Sequence, residues 1–222
     1  MISRITIPPL EPFDLDKGLN IISTNSLSVF FSFSQGIKGK NEMMHFYDDD
    51  NNRIEKLESE ILLAGDIAGI LNYDEWFKKQ LLSAYIREFD DEQLAALHNI
   101  HAQLFSVLDK AALDSMLPIS LNQEFDTKNL VSIFKPTVDV PEYENFYDEI
   151  QAIIDIAGAL SDKRMLVLFH ISEYCTNDQL EYLVSDIKRQ ELQVLCLERT
   201  DHLLRFGDER SYYVDEDFVQ FS

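Results

Sequence analysis

Apolar residues fall in short runs at the two ends of the chain and in long, spaced stripes through its middle. Ile5-Thr6-Ile7 and Leu19-Asn20-Ile21-Ile22-Ser23 are β-rich runs bounded by Pro and Gly, and they predict strands. Thr24-Asn25-Ser26 supplies N-cap side chains for residues 27–33, which predicts a helix there, although the aromatic and β-branched content also suits a strand. Met43-Met44-His45-Phe46-Tyr47, the polar stretch 48–52 and Arg53-Ile54-Glu55-Lys56-Leu57 predict a hairpin. Glu60-Ile61-Leu62-Leu63-Ala64 is a further short apolar run before Gly65 and Gly69.

The period changes in the middle. Phe77, Leu81, Leu82, Tyr85, Ile86 and Phe89 recur at helical spacing over residues 74–89. After Asp90-Asp91-Glu92, a second helix is predicted over 92–115, with Leu94, Leu97, His101, Leu104, Leu108 and Ala111 on one face. Two long helices with a short break predict an antiparallel helical hairpin. Residues 127–134 predict a short helix, stopped by Pro136.

The C-terminal part alternates. Tyr143, Phe146, Tyr147, Ile150, Ile153, Ile154, Ala157 and Leu160 form one helical face. Strands over 164–170 and 192–197, with a helix over 177–190 between them, predict a right-handed βαβ unit with a parallel strand pair. Tyr212-Tyr213-Val214 and Phe218-Val219-Gln220-Phe221 are expected to finish the sheet. The predicted class is α/β, with a discontinuous head domain (1–69 and 137–222) and an inserted α-helical domain (70–136).

Charge alters this picture more than bulk composition does. Of the 222 residues, 19 are Lys or Arg and 40 are Asp or Glu, a net charge of −21. Such a surface opposes non-specific binding to DNA or anionic lipid. Any nucleic-acid site must concentrate its few cations, use a metal ion, or combine several chains. The two cysteines, Cys175 and Cys196, build neither a disulfide framework nor a four-thiolate zinc site. No stretch has the pattern of a signal peptide or a membrane span, so a cytoplasmic protein without membrane attachment is expected.

Familiar catalytic patterns are missing. A nucleotide-binding head would carry a Gly-rich loop and a Lys after the strand ending at Ile22. The chain has Ser23-Thr24-Asn25-Ser26-Leu27 instead, and Gly36-Ile37-Lys38-Gly39-Lys40-Asn41 follows the next element with the wrong spacing. The run Met165-Leu166-Val167-Leu168-Phe169 leads into His170-Ile171, where an ATPase would need a metal-binding acid. His98 and His101 are three residues apart on a helix with no evident third ligand, and a seam position explains them better than zinc. Cys196 reads as a core residue and Trp76 as a packing anchor. Asp48-Asp49-Asp50-Asn51-Asn52 opens like a calcium loop, but Arg53 stands where Gly is required and Ser59 where a bidentate Glu is required. Glu124-Phe125-Asp126 is a second acidic candidate, although on its own Asp126 or Thr127 is more simply the N-cap of the following helix.

An ordered series of short stretches carries a resemblance. These are Leu19-Asn20-Ile21-Ile22 with Val29-Phe30, Glu58-Ser59-Glu60-Ile61-Leu62-Leu63 with Asp66-Ile67, and Glu124-Phe125-Asp126. They continue with Asp162-Lys163-Arg164-Met165-Leu166-Val167-Leu168-Phe169, Leu195-Cys196-Leu197-Glu198-Arg199 and Tyr213-Val214-Asp215-Glu216-Asp217-Phe218. The chain resembles the small adaptation protein of type II-A CRISPR loci, the Csn family of ring-forming proteins that take part in spacer acquisition during antiviral defence.

The resemblance implies a head related to P-loop folds without a working phosphate loop, and a helical leg. It implies a homotetrameric ring that binds calcium and threads onto the ends of linear double-stranded DNA. Such a protein is not an enzyme, and it acts beside the adaptation integrase complex and the RNA-guided nuclease of the same locus. It points to Glu124 and Asp126 as calcium ligands, with Asp66 a weaker third. The candidate DNA contacts are Lys38 and Lys40, in a loop free of nearby acids, and Lys78, Lys79 and Arg87 on the first long helix. Each of these cations alone is equally a solvated surface charge. Two rival readings stand beside this one: a magnesium-dependent α/β phosphotransferase or hydrolase, and an acidic adaptor that binds only proteins.

Overall fold

The computed structural model describes residues 1–222. The strands are β1 (Ile2–Thr6), β2 (Phe13–Asp14), β3 (Gly18–Thr24), β4 (His45–Asp48), β5 (Ile61–Asp66), β6 (Met165–Phe169), β7 (Gln193–Glu198), β8 (Arg210–Val214) and β9 (Gln220–Phe221). The helices are α1 (Leu27–Ile37), α2 (Leu57–Glu60), α3 (Tyr73–Arg87), α4 (Asp91–Asp114), α5 (Thr127–Ser132), α6 (Phe146–Ala159), α7 (Ile171–Tyr174) and α8 (Asn177–Arg189). Backbone packing divides the chain into one unit of Met1–Asn72 with Val140–Ser222, and a second of Tyr73–Asp139. The chain is thus mixed α/β, with both sheets in the first unit and three helices in the second.

The main sheet runs β5-β6-β7-β3-β8-β9, parallel except for the antiparallel β9. All seven residues of β3 are buried, as expected of a central strand flanked on both edges and covered on both faces. Its one amide side chain, Asn20, is fully satisfied: Nδ2 donates to the carbonyls of Asp16, Gly18 and Val194, and Oδ1 accepts from the Asp16 amide. A smaller antiparallel sheet, β2-β1-β4, closes one side of a core built on Ile5, Phe13, Phe33, Phe46 and Leu195. Phe13 holds Phe33 and Tyr212 edge-to-face at 5.2 and 5.1 Å. Helix α1 is confirmed as a helix. The Ser26 side chain caps it, and Gly36 lets Met44 lie against it where a Cβ would strike the Met44 sulfur at 1.9 Å.

The predicted hairpin over 43–57 forms in shortened form. Its first strand, β4, also pairs with β1, and Tyr47 meets Arg53 in an antiparallel bridge flanked by backbone bonds from the Ile54 amide to the Phe46 carbonyl and from the Asp48 amide to the Asn52 carbonyl. Local chemistry sets the turn and its short second arm. The Asp48 carboxylate collects the amides of Asp50 and Asn52 and the Asn52 side chain, which closes a tight turn, and residues from Leu57 enter α2. One expectation needs correction: α3 and α4 are not packed chiefly on each other as a helical hairpin; each packs on the short α5. The break between them does fall at Asp90, which forms a reciprocal capping box with Gln93.

Candidate functional site

In the helical unit, the segment after α4 forms a cleft of about 630 Å³ lined by Ser83, Ile86, Asn122, Phe125, Lys128 and Asn129 together with Glu124 and Asp126. The two acids singled out from the sequence therefore share one cavity. Asp126 Oδ1 accepts from the Lys128 amide at 2.8 Å as the N-cap of α5, which orients its carboxylate without consuming every lone pair. The Glu124 amide donates to Asn122 Oδ1, and the Glu124 carboxylate takes up no hydrogen bond or ion pair of its own. Phe125 packs against both His98 and His101, each at 5.2 Å between ring centroids. The histidines therefore pack on the segment after α4 and not in a seam between two long helices.

No group of three or more His, Cys, Asp or Glu is gathered to hold a metal ion. Asp66 belongs to the other unit, where its Oδ1 accepts the Tyr174 hydroxyl at 2.7 Å and the Ala68 amide at 3.0 Å. That hydrogen bond, more than burial, pushes the Tyr174 hydroxyl up to about 12. The two carboxylates of Glu124 and Asp126 and two side-chain amides line the open cleft after α4, with Lys128 among them. Oxygen donors of this kind are those a hard cation takes.

Lys38 ends α1, Gly39 turns the chain with φ +68, and Lys40 follows; both lysines are exposed. Lys78, Lys79 and Arg87 are exposed along α3. None of the five engages in an ion pair, whereas Arg4, Lys17, Arg53, Arg164, Lys188, Arg189 and Arg210 all do. These five cations are therefore available to an external anion.

At the C-terminal end of the parallel strands, the segment between β3 and α1 is no phosphate cradle. Thr24 Oγ1 takes the Ser26 amide at 3.0 Å, Ser26 Oγ takes the Val29 amide, and no residue from 23 to 27 has positive φ. A nest of backbone amides needs left-handed residues that are missing there.

The neighbouring strand ends carry something the sequence reading passed over. Glu198, the last residue of β7, is 1% exposed. Its carboxylate accepts the Ser172 amide at 3.2 Å and the Ser172 hydroxyl at 2.7 Å, from the first turn of α7. Burial pushes its carboxyl up to about 7, against the lowering effect of those hydrogen bonds. The legible signal was an acid continuous with the apolar run Val194-Leu195-Cys196-Leu197. Beside it, His170 adopts a left-handed conformation (φ 61) and stacks on Phe30 at 5.1 Å. Burial, then the Glu198 charge, raises both thiols, Cys175 to about 11 and Cys196 well above its ordinary value, so neither is a poised nucleophile.

The family profile described as CRISPR-associated protein (Cas_Csn2) matches residues 38–218. The chain belongs to the Cas_Csn2 family. No curated protein matches it. Among solved structures, the Cas_Csn2 chain is similar to Stu0660 of Streptococcus thermophilus, with TM-score 0.52 and 14% identity over 89% of this chain and 68% of that one. At that identity the likeness is one of fold. The family match spans β4 to β8, and so includes the loop of Lys38 and Lys40, the Glu124–Asp126 cleft and Glu198. No helix of this Cas_Csn2 protein is long and apolar enough to cross a membrane.

Proposed function

We propose that this CRISPR-associated protein is a non-catalytic, calcium-dependent ring that binds the ends of double-stranded DNA during spacer acquisition. The ring is a homotetramer, and it works beside the adaptation integrase complex and the RNA-guided nuclease. The observation that carries the reading is α4. This helix has 24 residues and no buried side chain, yet Ile100, Leu104, Val107 and Leu108 share one exposed face. An apolar stripe of that length calls for a partner, and further copies of the chain supply one.

Assembly also answers the charge problem. A chain of net charge −21 does not hold DNA alone. Several copies that direct Lys38, Lys40, Lys78, Lys79 and Arg87 toward one channel neutralise phosphates and release counterions. Calcium between Glu124 and Asp126 lowers carboxylate repulsion and stiffens the helical unit, which then serves as the leg. The parallel sheet with an occluded loop after β3 fits a head descended from P-loop folds that has lost nucleotide chemistry.

The test is competition for labelled linear duplex by unlabelled linear fragments and by covalently closed circles, with calcium or with chelator, while ATP turnover is followed in parallel. Linear fragments should compete and circles should not. Equal competition by circles removes the threading model. ATP turnover that is lost when Glu198 is changed would favour the phosphotransferase or hydrolase reading.

A further inference from the structure

We propose that the free edge of β9 is a docking strand for an extended, cationic segment of another protein. β9 is the last strand of the six-stranded sheet, and its outer edge has no neighbour. The Asp215 amide donates to the Val219 carbonyl, and the next pairs outward are Val214 with Gln220 and Tyr213 with Phe221. Antiparallel ladders alternate bonded and non-bonded pairs, so the N–H and C=O of Gln220 point away from β8 toward the empty edge. An added strand finds a donor and an acceptor there, already held in extended geometry.

The side chains around that edge are arranged for contact rather than for the core. Val219 and Phe221 lie on one face of the strand, with Phe221 stacked on Tyr213 at 5.9 Å, and both are about half exposed (48% and 47%). Phe218 is 46% exposed and adopts φ 61. A bulky aromatic residue in the left-handed region is a backbone outlier that Gly or Asn would relieve. Its ring is not buried in compensation, so the fold itself does not explain the choice. The turn that holds it is rigid: the Asp215 carboxylate accepts the amides of Asp217 and Val219, and the Phe218 amide donates to the Asp215 carbonyl. The result is a fixed aromatic knob beside a strand edge.

Charge selects the occupant. Glu216 and Asp217 are exposed beside Phe218 and engage in no ion pair. A second copy paired edge to edge would bring the same two acids, Glu216 and Asp217, against their counterparts. A nucleic acid would be repelled as well. An extended segment of another protein that alternates Lys or Arg with apolar residues meets all three features: it pairs with Gln220, packs on Val219, Phe221 and Phe218, and neutralises Glu216 and Asp217.

The experiment uses the full chain and two labelled ten-residue peptides, one alternating Lys and Val, the other Glu and Val. The Lys peptide should bind and the Glu peptide should not. Gln220→Pro removes the outward N–H at a position that gives nothing to the ladder, and it changes no charge. It should weaken binding about tenfold or more, which separates strand pairing from general attraction to an acidic surface. Phe218→Gly should also weaken binding while leaving the melting temperature equal or higher, because the left-handed strain is gone. Should Gln220→Pro itself unfold, hydrogen exchange in the parent chain decides: the Lys peptide must slow the Gln220 amide. Equal binding by parent and Gln220→Pro, or no slowing at Gln220, overturns the proposal. So does a dimer of the parent chain that Gln220→Pro abolishes, since a second copy then holds the edge. No nucleic acid is present, so failure of the DNA reading and failure of this one are separate results.

Discussion

Glu198 offers the sharpest test of the head's chemistry. Its carboxyl is pushed up to about 7 from an ordinary 4.5, chiefly by burial and in a smaller part by the Glu173 charge. Between those two values the folded chain holds a proton that the unfolded chain has released. Stability from this group is therefore fully present below about pH 4.5 and is lost as pH rises through about 7. At about 1.4 kcal/mol per pH unit, that gap corresponds to about 3 kcal/mol at pH 8. Glu198→Gln stays neutral at every pH and keeps one oxygen for the Ser172 hydrogen bonds. Its new amide N–H group faces the amides of Ile171 and Ser172, which costs about 1 kcal/mol. The variant should be stabilised by about 2 kcal/mol at pH 8 and destabilised by about 1 kcal/mol at pH 4.5.

The readout must come from the right unit. Trp76 is the single tryptophan and lies in the helical unit, so its fluorescence reports the wrong one. Urea unfolding of parent and variant at both pH values should be followed by far-UV circular dichroism, beside a carbon NMR titration of the Glu198 carboxyl. A titration midpoint near 4.5, or a stability difference that is the same at pH 4.5 and pH 8, would refute the reasoning.

Other outcomes follow from the same structure. Leu104→Asp with Leu108→Asp should turn the ring into monomers by light scattering while circular dichroism shows each chain still folded, because both side chains are exposed within one chain. Calcium at a hundredfold excess over Kd should add about 2.7 kcal/mol of stability. Glu124→Gln with Asp126→Asn should remove most of that gain, while the amide introduced by the second change still caps α5; an undiminished calcium response would reduce both acids to structural roles. Lys38→Ala with Lys40→Ala should flatten the salt dependence of DNA binding by several units of log K per log salt, since each neutralised phosphate contributes about 0.9 and a fourfold ring counts each lysine up to four times. An unchanged slope, read from binding isotherms over a salt series, would move the contacts to Lys78, Lys79 and Arg87.

Some elements were legible because one physical signal dominated them. β3 reads from the apolar run Leu19-Asn20-Ile21-Ile22, and α4 begins where Asp90 and Gln93 make a capping box that sequence alone can suggest. The reversal within 43–57 is legible from its polar turn, whereas the pairing of β4 with β1, forty residues earlier, is not, because alternation says nothing about which strand is adjacent. Helix α7 was invisible because four residues carry no period; it exists where its first turn meets the Glu198 carboxylate. The helical periodicity of 92–115 was read correctly, but a stripe does not say what covers it, and most of this one is uncovered within a single chain. The Glu124–Asp126 cleft lay between these extremes. The residues were nameable, whereas their sharing one cavity depends on the chain folding back along α4 to set Phe125 on His98 and His101.

The distribution of committed and uncommitted charge ties these strands together. The acidic excess falls on a surface where most Arg side chains are already paired, with Arg164 held by the nearly buried Asp162 at 2.5 Å. Among the unpaired charges, four groups stand apart by location: lysines at the end of α1, cations along α3, acids in the cleft after α4, and acids beside β9. Under the proposed function, each group meets a different counter-charge: phosphate for the cations, calcium for the cleft, and a cationic strand for β9. Screening then makes the three separable. DNA binding collapses steeply with monovalent salt, through released counterions. A calcium ion held by two carboxylates resists the same salt far better, because screening acts weakly over contact distances. Strand docking keeps its hydrogen bonds and apolar contacts as salt rises, and loses only its electrostatic share. A salt series that abolishes DNA binding first, with calcium stabilisation intact, is the order this charge map requires. If all three were lost together, a single non-specific field would account for them, and the assignment of separate sites would fall.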